Sequence, residues 1–164
     1  MPRILAAVLA MLIAAPAVAA EVARHANPPP GLILAGVTVP PGAETLMLSG
    51  QVPSPIDPKN TKGFEAYGDT QTQAVNTFRK IEATLKQLGW SMQDVVKLTV
   101  FLVGDPKLDG RMDFAGFNAA YRQYFGTAEN PNVVARSTMQ IAGLASPYFL
   151  VEIEATAARM PAKP

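Results

Sequence analysis

Asp94-Val95-Val96-Lys97-Leu98-Thr99-Val100-Phe101-Leu102-Val103 is the stretch on which the fold turns. β-Branched residues crowd it, and Val96, Leu98, Val100 and Leu102 share one face, so residues 95–103 read as a strand with a buried side. The flanks read as helices. Before it, Ala74, Phe78, Ile81, Leu85 and Leu88 recur at helical spacing. Thr70 and Gln73 form a possible capping box beside Asp69, and Gly89 is placed to end the helix in a left-handed turn. After it comes a Gly/Asp/Pro-rich loop over residues 104–111. Residues 113–125 then carry the apolar stripe Phe114, Phe117, Tyr121 and Phe125, and Gly126 stops it.

Further out, residues 31–39 and 45–52 read as strands. The turn Pro40-Pro41-Gly42 between them predicts a hairpin. Residues 53–68 read as irregular, and 137–142 and 148–156 as the last two strands. The order β-β-α-β-α-β-β predicts an α+β domain over residues 31–160, with both helices on one face of a mixed sheet. In the last strand Val151, Ile153 and Ala155 point one way, and Leu150, Glu152 and Glu154 the other. The second face is therefore mixed, with no helix left to cover it. Such a face is a candidate subunit interface.

The N-terminus has a different composition. A short basic start at Arg3, an apolar run over residues 4–15, Pro16, and Ala17-Val18-Ala19 with its A-x-A pattern form the layout of a secretory signal over residues 1–20. The run is shorter than the roughly 20 residues of a membrane span, so export to the periplasm or medium without a lasting anchor is expected. Residues 21–30 end in Pro28-Pro29-Pro30 and read as a flexible arm. Losing the leader removes Arg3, leaving thirteen basic against thirteen acidic residues. That balance disfavours a nucleic-acid partner.

The chain has no cysteine and one histidine, His25, read as a solvated residue of the arm. Thiol chemistry, a histidine-relayed nucleophile and a multi-histidine zinc site are thereby excluded. Arg136 is then the most informative residue. It is the sole cation between Pro131 and Ala158, within Val133-Val134-Ala135-Arg136-Ser137-Thr138-Met139. A guanidinium in such a run needs a partner. The choices are Glu152 or Glu154 in an ion pair, or an anionic ligand.

Four segments form an ordered set: Leu48-Ser49-Gly50-Gln51-Val52-Pro53, residues 94–102, Ala135-Arg136-Ser137, and Val151-Glu152-Ile153-Glu154-Ala155. With Asp113-Phe114, Phe117-Asn118 and Tyr121 between them, the set resembles the Rid family (YjgF/YER057c/UK114) over residues 45–158. The resemblance implies a chorismate-mutase-like fold and a homotrimer with a ligand cleft at each subunit junction. It also implies hydrolysis of reactive 2-imino and 2-enamino acids to 2-keto acids and ammonia, with no metal or cofactor. Arg136 stands where the family grips the substrate carboxylate, and Glu152 where an acidic residue lies near the attacking water. Ser49, Gly50 and Asn118 match cleft-lining positions, and the backbone amide of Thr138 is placed to bind an oxyanion.

The bland readings are a strand end for Ser49 and Gly50, helix packing for Asn118, and structural pairing for Glu152 and Glu154. The chain also departs from the family. Leu32-Ile33-Leu34-Ala35-Gly36-Val37 lacks the tyrosine of the Gly-Pro-Tyr-Ser-Gln-like motif. Thr138 replaces a common cysteine, Val134 a common proline, and the loop over residues 104–112 is longer. A trimeric binder of small carboxylic acids that turns nothing over is therefore the alternative to an imine deaminase. The family's endoribonuclease label suits neither the charge balance nor export.

Overall fold

The computed structural model describes residues 20–29 and 31–162; most of the expected leader lies outside them. Eight main elements follow in order: β1 (Ala23–Ala26), β2 (Leu34–Thr38), β3 (Glu44–Gln51), α1 (Thr70–Gln87), β4 (Val95–Val103), α2 (Phe114–Tyr121), β5 (Ala135–Ile141) and β6 (Val151–Arg159). One mixed sheet results, in the order β1-β2-β5-β4-β6-β3. The α+β class and two-helix layout agree with the expectation from sequence. Among the described residues no helix is long and apolar enough to cross a membrane.

β4 is central because it can bury both edges. It runs parallel to β5 with Leu98 opposite Arg136, and antiparallel to β6 with Val100 opposite Ile153. Leu98, Val100, Leu102, Val151 and Ile153 are fully buried against α1 and α2. Phe78 of α1 is the hub of that layer, its ring 4.9 Å from Tyr124, 5.8 Å from Phe125 and 6.1 Å from Phe117. Truncating such a side chain to alanine costs about 3–5 kcal/mol.

The helix ends obey local chemistry, with two changes from the expected caps. Asp69, rather than Thr70, caps α1 by accepting from the Thr72 N–H at 2.8 Å. Gln73 is fully buried and does other work. Its amide donates to the Gly68 and Tyr148 carbonyls and accepts from the Leu150 N–H at 2.7 Å, tying α1 to the start of β6. At the other end Gly89 has φ of 77°, with its N–H on Lys86 and the Trp90 N–H on Leu85, a Schellman motif. α2 ends at Tyr121, short of the expected 125, because the chain tightens there: Gln123 bonds Ala120 and Tyr124 bonds Tyr121.

The expected hairpin does not form. β2 and β3 lie toward opposite ends of the sheet. β3 runs antiparallel along β6 from Glu44 opposite Arg159 to Gln51 opposite Ile153, and Leu46 and Leu48 pack on the core. β2 instead pairs with β1, which lies inside the stretch expected to be a flexible arm. The reason is Arg24. Its guanidinium donates to the carbonyls of Gln93 (2.9 Å), Val95 (3.0 Å) and Val133 (3.1 Å), clasping the arm to the domain. His25, expected free in solvent, has Nε2 2.9 Å from Thr38 Oγ1 across the β1–β2 pair.

The sheet face away from the helices carries Lys97, Thr99, Phe101, Glu152 and Glu154, following the β4–β6 register. Met47 and Met139 are exposed on the strands that extend it.

Candidate functional site

Arg136 projects from β5 toward the helices, because it pairs with the inward Leu98. It lands on one face of α2. Residues 114, 117, 118 and 121 recur at helical spacing there. Three of them are rings, whose centroids lie 5.7 Å (Phe114), 5.1 Å (Phe117) and 4.7 Å (Tyr121) from Arg136 Cζ. The fourth, Asn118, accepts from Nη2 at 2.8 Å. Tyr121 is fixed in turn, since its hydroxyl accepts from the Val134 N–H at 3.2 Å.

The electrostatics are unbalanced. Burial lowers the Arg136 pKa from its ordinary value, Tyr121 opposes that shift, and Arg122 adds to it. Neither Glu152 nor Glu154 pairs with Arg136; Arg159 with Glu44 is the one ion pair among the described residues. Among the described residues, Nη1 is enclosed without an acceptor. Each ring returns roughly 0.5–1 kcal/mol, against several kcal/mol for desolvating an unpaired ion. The cradle therefore holds the cation without neutralising it.

Thr138 sits two residues along on the same side of β5, and its Oγ1 is likewise enclosed without a partner. Of four such side-chain atoms among the described residues, two thus lie side by side here. β2 meets β5 only at Leu34 opposite Ala135, where the Leu34 N–H bonds the Val134 carbonyl at 3.0 Å. Strand alternation then turns the Thr138 N–H toward the edge that β2 leaves open. Next on that side, Gln140 bonds the Gly110 carbonyl (2.8 Å) and the Met112 N–H (2.9 Å). The loop over residues 104–112 is thereby latched beside the site.

The other expected residues gather elsewhere. Glu152 pairs with Phe101 and so lies on the uncovered face. Ser49 and Gly50 form a bulge, since the register passes from Leu48 opposite Ala155 to Gln51 opposite Ile153. A methyl group on Gly50 would collide with Glu152 Oε1, so glycine there makes room for the carboxylate. The candidate residues thus fall in two groups: Arg136, Asn118 and Thr138 on the helix side of β5, and Ser49, Gly50 and Glu152 around β6, two strand spacings or about 10 Å across the sheet.

Two features escaped the sequence. Phe114 was expected in the core, yet it is 43% exposed. Its signal was available: it sits one position after the Asp113 cap, where a helix has scarcely begun to bury its stripe. Gln140 gave no signal, because its partners are backbone groups of a distant loop.

Comparison with known proteins places this geometry. Residues 37–159 match the family model described as Endoribonuclease L-PSP. A RutC family protein of Pyrococcus horikoshii is 36% identical over 112 residues, covering 68% of this chain and 77% of that one. TdcF of Escherichia coli K12, whose name provisionally assigns it as a reactive intermediate deaminase, is 33% identical over 111 residues, covering 68% and 76%. Among solved structures, the Rid family protein YyfB of Yersinia pestis superposes with a TM-score of 0.61 at 25% identity, covering 82% of this chain and 96% of that one. The YjgF gene product of E. coli gives 0.53 at 33% identity, covering 69% and 79%. By sequence and by fold, the chain belongs to the Rid (YjgF/YER057c/UK114) family.

Proposed function

We propose that this protein hydrolyses reactive 2-imino and 2-enamino acids to 2-keto acids and ammonia, with Arg136 holding the substrate carboxylate. One observation carries the reading: a partly buried guanidinium cradled by three rings and one amide, with an enclosed N–H lacking an acceptor. A planar fork of donors without an anion suits a carboxylate.

The chemistry asks little more. A protonated imine is already electrophilic, so a held carboxylate, a placed water and a proton path suffice. The water oxygen adds to C2 of the protonated imine and one of its protons passes to nitrogen; the C2–N bond then breaks, ammonia leaves, and the remaining hydroxyl proton is released as the carbonyl forms, a 2-enamino acid first taking a proton at C3 to reach the same iminium. The Thr138 N–H is placed to steady developing charge on oxygen. Glu152 orients the water. Because Glu152 and Arg136 occupy opposite faces of one sheet, the acid meets the clamp across a subunit junction, in a homotrimer whose sheets cover the mixed face. Export by the leader puts this assembly in the periplasm or outside the cell. The endoribonuclease in the family model's name is not carried over, since the balanced charge of residues 21–164 supplies no excess to neutralise phosphates.

The test is to generate 2-imino acids in situ and follow 2-keto acid release with the wild type and Arg136→Ala. A wild-type rate equal to buffer sinks the enzyme reading. The separation of Glu152 from Arg136 within one chain favours a second reading, a binder of small carboxylic acids. That reading stands if 2-ketobutyrate binds the wild type, fails to bind Arg136→Ala, and no turnover occurs.

A further inference from the structure

From the gradient of exposure along the Arg136 cradle, we infer that Phe114 is the specificity wall of the site, selecting keto and imino acids with branched or aromatic apolar side chains. This rests on the carboxylate-clamp reading above and names the substrate class it serves.

The three rings differ in one respect. Tyr121 and Phe117, nearest the guanidinium, are fully buried, whereas Phe114 is 43% exposed. Phe114 is the one aromatic among the exposed large hydrophobic residues of the described chain. The cradle thus runs from a sealed floor to a rim, and of its three rings Phe114 is the one that meets solvent beside Arg136. With its carboxylate on the guanidinium, the ligand's side chain lies within reach of a ring whose centroid is 5.7 Å from Cζ. An aromatic face there rewards apolar area and gives nothing to a second carboxylate.

The wall is held in place. Asp113 caps α2 through the Gly116 N–H at 2.8 Å, fixing the turn that carries Phe114. A methyl group on Gly116 would strike the Asp113 carboxylate, so that turn admits no bulk. Immediately upstream, Gln140 grips Met112 and Gly110, and Asp105 closes the loop on Arg111 through a 3.0 Å backbone bond. The long loop over residues 104–112 is therefore a brace behind the wall, and Gln140 is its positioning residue.

The test is calorimetric binding of 4-methyl-2-oxopentanoate, phenylpyruvate, pyruvate and oxaloacetate to the wild type, Phe114→Ser, Phe114→Leu and Arg136→Ala. Expected are tighter binding of the two bulky acids than of pyruvate, and weakest binding of oxaloacetate. Phe114→Ser should weaken the bulky acids about tenfold and pyruvate less than about twofold, with Phe114→Leu restoring most of the loss. An equal effect of Phe114→Ser on all four acids overturns the inference. So does a fall in its solution mass relative to wild type, which would make Phe114 an interface residue. Unchanged binding by Arg136→Ala would instead overturn the clamp itself. As a separate readout, Gln140→Ala should raise amide exchange across residues 104–112 and weaken only the bulky acids; a uniform loss of affinity removes its positioning role.

Discussion

Arg24 and Arg136 put the same side chain into two partly buried settings and treat it in opposite ways. Burial lowers the pKa of both, and Tyr121 favours the charged form of both. Arg24 spends its donors on three backbone carbonyls, which need donors of their own, and Asp94 adds a favourable charge. Arg136 has one neutral amide, three rings and an enclosed N–H with nothing to meet it. A satisfied buried cation serves structure, whereas an unsatisfied one is a candidate site for an anion.

Arg136→Met probes the contrast hardest. Removing an uncompensated buried charge should leave stability unchanged or raise it by about 1 kcal/mol. Carboxylate binding and imine hydrolysis should fall by about a hundredfold or more, as when one member of a buried charge pair is lost. Denaturant titration and steady-state rates on the same preparation decide it. A variant that unfolds easily but still binds 2-ketobutyrate would make Arg136 a second structural arginine.

Arg24→Met is the mirror experiment. Losing hydrogen bonds from a charged donor to three carbonyls should cost roughly 2–4 kcal/mol and free the β1–β2 pair. Hydrogen exchange should show residues 23–38 opening before the rest of the sheet. Ligand affinity should stay within about twofold per site of folded protein, a change within the scatter of distant, uncoupled positions. If stability holds and affinity collapses, the roles of the two arginines are reversed.

The same contrast shows what the sequence could reveal. Arg136 stood out because its neighbours are apolar, a local signal that survives into the fold. The strands at 45–52 and 95–103 and the inner parts of both helix stripes were equally local, while the stripe ends Leu88 and Phe114 are exposed. Arg24 was invisible, because its partners are carbonyls, which every residue has, at positions 93, 95 and 133. The missed hairpin has the same cause. Pro40-Pro41-Gly42 does turn, with the Ala43 N–H on the Pro40 carbonyl at 3.2 Å, yet a turn does not choose the partner of the strand that leaves it. The split of the candidate site follows from parity: Arg136 and Glu152 oppose Leu98 and Phe101, three positions apart on one strand, and an odd separation sets them on opposite faces.

That parity makes Glu152→Gln the next probe. If Glu152 orients the water, as proposed, losing its carboxylate should lower kcat by at least about tenfold. The affinity for 2-ketobutyrate should change far less than kcat, because Arg136 still holds the ligand's carboxylate. If the two groups of residues meet only between chains, mixing separately impaired Arg136→Met and Glu152→Gln proteins after joint refolding should restore part of the activity. No recovery in mixed oligomers would mean that Glu152 and Arg136 do not share a junction.

The smallest effect is expected at Asn118. Among the described residues it is the one polar group that orients the Arg136 fork, through a single 2.8 Å bond. Asn118→Ala removes about 1–2 kcal/mol of hydrogen bonding to a charged donor, while the rings still hold the guanidinium. The fork is then centred but free to rotate. Binding of a carboxylate should weaken about fivefold, with less discrimination among acids of different shape, whereas Asn118→Asp should act in the opposite sense. An aspartate at that position supplies the missing anion from within the chain, so it should stabilise the fold and shut out the ligand. Denaturant midpoints set against 2-ketobutyrate affinities for the two variants separate these outcomes. Tighter ligand binding by Asn118→Asp would show that Arg136 is not the group the carboxylate meets.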